Sequence, residues 1–498
     1  MKLPFLTSIL TLIAGLACSA EKNVIFIITD DESPTLGCYG DPVAKTPAID
    51  AIAADGTVFL NAFATTASCS ASRSVVMSGL HNHLNGQYGH QHSYHKFSSF
   101  YSVAPLALPQ VMKSAGYRTG HIGKYHVAPE QVYRYETYLK ASGRNAVQMA
   151  NTSKDFITAK SEKPFFLYFA TSDPHRGGGK DETSELELKA DLFGNKPNKG
   201  SHEGVDEIFY DPAEVPIPHF LTDTPETREE LAQYYQSVSR IDQGVARLIE
   251  ILKEADLYDK TMIIFTADHG MAFAGGKTTV YEGGLRVPFV VRNPYEENRG
   301  VMHEGMISHI DITPSILDFA GGLDPKTNAP KQTANFKKLF KEGEMAKDNL
   351  GPNISAYHGK SWVPILGEPD ADHWKTIFAS HTFHEIQMYY PMRVVRDNDF
   401  KLIWNIAHDL PYPFASDLWV ASSFQAQYQQ SLDAPYGQKS VGEYIHRPEF
   451  EFYKIGEDPH ESENLASNPE FREEMIQYQE KLKAFQKEMK DPWIMKWD

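Results

Sequence analysis

Apolar residues run unbroken from Val24 to Ile28 inside N-V-I-F-I-I-T (Asn23 to Thr29), and Asp30-Asp31-Glu32 follow at once. A continuous, β-branched run of this length predicts a strand buried on both faces, as in a parallel sheet. F-F-L-Y-F-A (Phe165 to Ala170) and M-I-I-F-T (Met262 to Thr266) repeat the pattern, each ending in a polar cluster. Between those two runs Leu231, Tyr234, Val238, Ile241, Val245, Leu248 and Leu252 recur by threes and fours behind Thr224-Pro225, which predicts a long amphipathic helix with a start signal. A shorter helix opens at Thr46-Pro47, carries Ile49 and Ile52 and stops at Gly56. Strands alternating with helices predict a doubly wound α/β sheet, whose ligands bind beyond the carboxyl ends of its strands.

The texture changes over Asn328 to Pro369, a Lys-, Gly- and Pro-bearing stretch that reads as a connection. Beyond it, Met392 to Val395 and Phe400 to Trp404 flank the turn Asp397-Asn398-Asp399, an antiparallel hairpin signal, and Phe450 to Tyr453 adds a strand. A last helix follows Asn468-Pro469 and presents Phe471, Met475, Tyr478, Leu482, Phe485 and Met489 on one face. The expected organisation is a leader over 1–20, a catalytic α/β domain over 21–350, and a smaller α+β subdomain over 351–498 that contributes to the substrate cleft. No internal repeat or low-complexity tract interrupts it.

The leader itself is M-K-L-P-F-L-T-S-I-L-T-L-I-A-G-L-A-C-S-A. Lys2 supplies a positive start, Leu3 to Ala17 an apolar run too short to span a bilayer, and Cys18 and Ala20 the small residues of a cleavage site before Glu21. The expectation is export to the periplasm or beyond the cell. A lipid anchor on Cys18 is the lesser alternative, because the preceding G-L-A fits it poorly. No later apolar run is long enough for a membrane helix.

Composition adds one constraint. The 498 residues carry a net charge of −17, from 48 Lys+Arg against 65 Asp+Glu. That balance argues against nucleic-acid or anionic-membrane binding through the general field, so an anionic substrate needs a local basic pocket. Cysteine is scarce. Removal of the leader leaves Cys38 and Cys69, which could pair as a disulfide or stay as two buried thiols.

The polar clusters at the strand ends hold the chemistry. Asp30-Asp31 are adjacent carboxylates that repel unless a cation sits between them, and oxygen donors suit Ca²⁺ or Mg²⁺. T-A-D-H-G (Thr266 to Gly270) supplies a second acidic strand end in the same sheet, which can converge with the first on one ion. G-K-Y-H (Gly123 to His126) places Lys124 and His126 two apart, so an extended backbone would aim both to one side. D-P-H-R (Asp173 to Arg176) and G-G-K (Gly275 to Lys277) follow the other two strand ends. Any one of these cations reads most simply as an exposed charge or a satisfied histidine. Together Arg73, Lys124, His126, His175 and Lys277 form the local basic pocket that holds a small oxyanion.

These residues carry a resemblance. S-C-S-A-S-R-S-V-V-M-S-G (Ser68 to Gly79) is similar to the type I sulfatase signature, Cys-x-(Pro/Ala)-x-Arg before a small-residue Gly turn. The D-D pair, G-K-x-H, P-H, D-H-G with its following Lys, Y-E-G-G-L-R-V-P (Tyr281 to Pro288) and D-P-H-E-S-E-N-L-A (Asp458 to Ala466) come in the order of that family. N-G-Q-Y-G (Asn85 to Gly89), G-K-Y-H-V-A-P-E, H-E-I-Q-M-Y-Y-P-M-R (His384 to Arg393) and D-P-W (Asp491 to Trp493) narrow the likeness to the heparan N-sulfatases, from about Asn23 to Trp493.

The resemblance implies an alkaline-phosphatase-like α/β fold and a sulfatase. It implies that a maturation enzyme converts Cys69 to formylglycine, whose hydrated aldehyde attacks sulfur. Asp30, Asp31, Asp268 and His269, with the modified Cys69, would ligate one Ca²⁺. Arg73 and Lys124 would hold the diol, helped by a helix N-terminus near Ser72, and His126 would orient one of its oxygens. His175 and Lys277 would bind the sulfo group, one of them protonating the leaving group. His384, Glu385 and Arg393 would contact the sugar.

The chain also departs from the pattern. Ala71 stands where many members have Pro, His269 replaces a common Asn, and Lys277 and Phe383 stand where the N-sulfatases carry Arg and His. The expected substrate is a terminal sulfated sugar of a glycan, N-sulfoglucosamine foremost. The alternatives are an exo-acting O-sulfatase on another sulfated polysaccharide, a phosphohydrolase of the same superfold, and a glycan-binding protein with a dead site.

Overall fold

The computed structural model describes residues 22–177, 193–196, 202–333 and 336–497. The leader expected over 1–20, with Cys18, lies outside the described residues. Eight strands form the main sheet: β1 (Asn23–Thr29), β2 (Thr57–Phe59), β3 (Arg118–Gly123), β4 (Thr137–Leu139), β5 (Phe165–Ala170), β6 (Thr261–Ala267), β7 (Phe289–Arg292) and β8 (Val301–His303). Their spatial order is β4-β3-β5-β1-β6-β7-β2-β8, and β7 alone runs against the others. The three apolar runs read from the sequence are the central strands β5, β1 and β6, paired in parallel with Ile25 opposite Leu167 and Ile263.

Central placement explains their unbroken hydrophobicity. Val24, Phe26 and Ile28 pack into one apolar layer and Ile25 and Ile27 into the other, so neither face of β1 meets water. The helix α4 (Pro225–Glu254) covers the second layer with Leu231, Val238, Ile241, Val245 and Leu252. Pro225 sits in its first turn, and Thr224 Oγ1 caps it by accepting from Thr227 N at 3.1 Å. The opposite layer receives Val76 and Met77 from α2 (Cys69–Ser78). The predicted short helix is α1 (Pro47–Ala54), and α3 (Ala146–Thr158) packs beside α4.

A second sheet is antiparallel, in the order β9 (Ile377–His381), β10 (Met392–Arg396), β11 (Lys401–Asn405) and β12 (Phe450–Tyr453). The hairpin expected around Asp397 to Asp399 is β10–β11. Alternation decides what each face covers: Val394 and Ile403 join the core of the main sheet, while Val395 and Leu402 pack under α7 (Arg472–Glu488) with Tyr478 and Leu482. Two short helices also matter for the site, α5 (Glu282–Leu285) between β6 and β7 in the chain and α6 (Ser416–Trp419) between β11 and β12. The stretch expected as a plain connection over 328–369 carries a fully buried Trp362 that packs edge-on to Phe289, at 5.9 Å between rings. No helix among the described residues is long and apolar enough to cross a membrane.

Candidate active site

The carboxyl ends of β1, β3, β5 and β6 bring together residues that lie far apart in the chain. Backbone bonds fasten these ends to one another: Asp30 N donates to Asp173 O at 3.0 Å, Asp268 N to Thr29 O at 3.0 Å, and Lys124 N to Ala170 O at 2.8 Å. The expectation that G-K-Y-H is extended does not hold. Strand β3 ends at Gly123, whose φ of 88° and close approach to Ala170 O exclude a side chain, and His126 takes a φ of 51°. Lys124 and His126 therefore reach the site from a turn rather than from one face of a strand.

Helix α2 begins at Cys69, three residues before the start expected near Ser72. Its N-cap, Ser68, makes no side-chain cap, because Ser68 Oγ instead pairs with His384 Nδ1 at 3.0 Å. Cys69 is wholly buried and both Cys38 and Cys69 are free, so the disulfide alternative is not realised. Burial pushes the Cys69 thiol well above the usual thiol range.

Asp31 is the hub of the site. It adopts a left-handed φ of 63°, a strained conformation for a residue with a Cβ. Its amide donates to Asp268 Oδ1 at 3.0 Å, its Oδ1 lies 3.2 Å from His269 Nε2, and its Oδ2 accepts from Lys277 Nζ at 2.9 Å. Cys69 Sγ stands 3.7 Å from Asp31 Oδ1 and 3.4 Å from His269 Nε2. The other ring nitrogen, His269 Nδ1, lies 3.0 Å from Gly270 O, which assigns the proton to Nδ1 and leaves the Nε2 lone pair facing Cys69.

Asp31, Cys69, Asp268 and His269 each place a ligand atom within 4.8 Å of the others. Asp30 falls outside that set and groups with Asp31 and His175. Its oxygens are held by Lys124 Nζ at 2.5 Å and Arg73 at 3.1 Å. Burial works against its charge, but Lys124 and Arg73 hold it well below the usual carboxylate range. Asp268 is the reverse case: burial pushes its carboxyl up to about 6, against the pull of Arg73. The two buried carboxylates of Asp31 and Asp268 meeting a histidine lone pair are a donor set that a divalent cation fits, and the oxygen majority favours Ca²⁺ or Mg²⁺.

Arg73 is fully buried beneath this cradle. It donates through Nε to Asp268 at 2.9 Å, and to Asp30, to Tyr168 Oη at 3.3 Å and to Thr29 O at 3.3 Å. Its donors are thus committed to the carboxylates rather than to Cys69.

Lys277 and His175 line the floor of a pocket of about 200 Å³, whose walls include His90, His92, His384 and Asp417. Lys277 Nζ donates to Asp31, to Asp417 Oδ2 at 2.8 Å and to His175 Nε2 at 3.0 Å. Burial opposes its charge, but Asp31 and then Asp417 raise it well above the usual lysine range. Burial and then Lys277 press His175 down to about 4. Its Nδ1 lies 2.6 Å from Arg176 O, so the neutral ring carries its proton there and accepts from Lys277 at Nε2.

With this geometry in view, the sulfatase family matches residues 22–322. Human N-sulphoglucosamine sulphohydrolase is 34% identical over 497 residues, spanning 97% of this chain and 94% of that protein. The chain belongs to the sulfatase family. An ulvan-active sulfatase of Formosa agariphila is 28% identical to this sulfatase over 464 residues, covering 92% of the chain and 78% of that protein. Two solved structures share its fold. One holds its substrate D-glucosamine-2-N,6-O-disulfate (TM-score 0.61, 19% identity, 95% of this chain and 98% of that one). The other is a phosphonate monoester hydrolase of Agrobacterium radiobacter (TM-score 0.62, 17% identity, 94% and 96%). The fold serves more than one chemistry, so the site carries the functional argument.

The rim of the sulfatase pocket sorts the expected sugar contacts. His384 is buried beside His90, with ring centres 3.8 Å apart, and Glu385 is half-buried at the wall, accepting from Ser416 Oγ at 2.8 Å. Arg393 is not brought to the pocket. It is fully buried on β10, paired with both oxygens of Asp491 at 2.6 and 3.0 Å and stacked on Trp493 at 4.7 Å. Sequence reasoning missed Asp417, on α6, because no motif marks it: a lone Asp in an aromatic stretch reads as solvated. The imidazoles of His90 and His92 were missed too, although H-Q-H-S-Y-H (His90 to His95) is an unusual density of histidine.

Proposed function

We propose that this sulfatase removes sulfate from a terminal sulfated sugar, with N-sulfoglucosamine of heparin or heparan sulfate as its substrate, after a maturation enzyme has converted Cys69 to formylglycine. The observation that carries the reading is Cys69 itself: a buried, unpaired thiol with a raised pKa, set at a helix N-terminus among carboxylates that could hold a metal ion. Left as a thiol it is poorly ionised and has no disulfide to make. Formylglycine supplies a hydrated aldehyde, one hydroxyl for attack on sulfur and the other to expel sulfate afterwards, which a thiol cannot do. Cys69 Sγ stands at the place of those oxygens.

The residues of the chain then take distinct tasks. Asp31, Asp268 and His269 would hold Ca²⁺, which supplies positive charge against sulfo oxygens. Arg73 and Lys124 position Asp30 and Asp268, Lys124 lies close enough to act on the group at position 69, and His126 would orient one of its oxygens. Lys277 holds a proton between two carboxylates, and neutral His175 beside it accepts hydrogen bonds. As the sulfur–nitrogen bond breaks, Lys277 delivers its proton, directly or through His175, to the leaving amine. Preorganised cations around the developing sulfate charge lower the barrier without reorganisation.

The pocket is of the size of one sugar residue, which supports action at a chain end. Glu385 and Asp417 offer carboxylate acceptors to sugar hydroxyls at its rim. The near-full-length relative named for N-sulphoglucosamine supports the sugar, as does the neighbour with a bound glucosamine disulfate. A second reading, O-sulfate removal from another polysaccharide, is favoured by the ulvan-active relative. The reading further includes export directed by residues 1–20, and a division into a catalytic unit over 21–350 and a C-terminal unit over 351–498 that supplies the pocket rim.

The test incubates matured protein with a glucosamine-terminated oligosaccharide bearing only N-sulfate, and assays free sulfate and new primary amine together. Equal release of both is expected. No release from this substrate, with release from an O-sulfated glycan, moves the activity to the second reading. No release from any sulfated glycan by protein with formylglycine at position 69 overturns the proposal.

A further inference from the structure

Five imidazoles crowd the pocket mouth, and two of them have partners that fix their roles. His95 Nδ1 accepts from Ile386 N at 3.1 Å, and His384 Nδ1 meets Ser68 Oγ at 3.0 Å. The first bond ties the loop that starts at His90 to the segment around His384, as does His90 N donating to His384 O at 2.9 Å, and the second ties that segment to the start of α2. The remaining three, His90, His92 and His126, face one another. Their ring centres lie 4.7, 4.8 and 5.1 Å apart, and each offers a ring nitrogen within 4.8 Å of the other two.

Two further observations point to a ligand. His126 Nδ1 is buried with no hydrogen-bond partner among the described residues, a costly state for an imidazole that serves only packing. His90 Nδ1 and His92 Nε2 stand 3.1 Å apart. Two nitrogens bound tetrahedrally to one ion at about 2.05 Å are about 3.3 Å from each other, so this spacing needs almost no adjustment. The donor set differs from the carboxylate cradle in kind. It is all nitrogen, three imidazoles with no carboxylate among them.

We propose that His90, His92 and His126 form a second cation site at the pocket mouth, which takes a divalent transition ion of the zinc class with its fourth position open to the pocket. Imidazole suits such ions, whereas Ca²⁺ prefers oxygen, so the two sites sort their ions by ligand chemistry. An ion there removes His126 from the group at position 69 and stands over the pocket. Zinc inhibition of sulfate release follows, and this arm rests on the function proposed above.

The binding arm does not depend on activity. Matured full-length protein in excess Ca²⁺ is titrated with Zn²⁺ by calorimetry, then with Co²⁺ as a spectroscopic probe. The expected result is one equivalent of Zn²⁺ that excess Ca²⁺ does not displace, and a tetrahedral Co²⁺ spectrum without a thiolate charge-transfer band. His92 is partly exposed, so His92→Gln should fold, and it should weaken Zn²⁺ by at least about tenfold. His446→Gln, at an exposed histidine elsewhere, should leave binding unchanged. No Zn²⁺ binding, displacement by Ca²⁺, a thiolate band, or unaltered binding in His92→Gln would each overturn the site.

Discussion

Asp417 Oδ2 accepts from Lys277 Nζ at 2.8 Å across 140 positions of sequence. The contact brings a residue of the C-terminal part of the chain against the cation that the proposed mechanism uses as proton donor. With Asp31 on its other side, Lys277 stays charged although only 1% of it is exposed. Replacing Asp417 by the isosteric Asn keeps the shape and removes half of that support. Asp417→Asn is expected to lower kcat/KM by about 10²-fold, measured in steady-state sulfate release. An unchanged kcat/KM would separate Asp417 from catalysis.

Cys69→Ala removes the atom from which the nucleophile is made. Activity should fall by at least about 10³-fold. Peptide mass on the active wild-type protein should show formylglycine at position 69, and an active sample carrying an intact thiol would reject the modification.

Metal removal should act on stability as well as rate. The cradle of Asp31, Asp268 and His269 exists only in the folded chain, so a bound ion stabilises by mass action. Calcium at a hundred times its Kd is worth about 2.7 kcal/mol. A chelator should lower the melting temperature of the wild type and leave that of Asp31→Asn unmoved. Equal chelator effects on both would place the ion elsewhere.

Glu282 makes stability depend on acid. Its carboxylate meets Arg396 at 3.2 Å and Lys401 at 3.1 Å, linking α5 to the second sheet. Burial opposes its charge, but Arg396 and Lys401 lower it from 4.5 to about 2. A depressed folded-state pKa contributes stability that is fully present above the unfolded value and disappears as pH falls through the folded one. Glu282→Gln should therefore cost about 3–5 kcal/mol near neutrality. In denaturant unfolding that deficit should shrink as pH falls from 4.5 towards 2. A deficit constant with pH would mean that shape rather than charge is at stake.

Two of the three predicted sugar contacts should part company. Arg393→Ala leaves Asp491 buried and unpaired, so unfolding free energy should drop by about 3–5 kcal/mol. Glu385→Gln should raise KM for the sulfated sugar with little change in melting. The opposite assignment of effects would return Arg393 to the cleft.

Much of the architecture was legible because burial on both faces leaves an unmistakable pattern. β1, β5 and β6 are apolar at nearly every interior position, and α4 shows its stripe from Leu231 to Leu252 between two of them. The hairpin β10–β11 was marked by its turn. The strand-end clusters were legible for the same reason: charge that directly follows a fully apolar strand has no structural need to be there.

Side-chain commitments were not legible. Arg73, Lys124 and Arg393 look alike as cations in a sequence. The fold locks the first under the carboxylates, brings the second to Asp30, and pairs the third with Asp491. Lys124 and His126 read as neighbours on one face of a strand until the positive φ of His126 turned the chain.

By itself the sequence determined the doubly wound sheet, the helix stripes and the set of acids, cations and cysteine at the strand ends, because periodicity and local composition are properties of neighbours in the chain. Only the tertiary structure decided which donors share one ion, which cation holds the proton, and that Asp417 and four histidines border the same pocket. Those are matters of a few ångströms between residues that the chain separates by tens to hundreds of positions, and no local pattern encodes such distances.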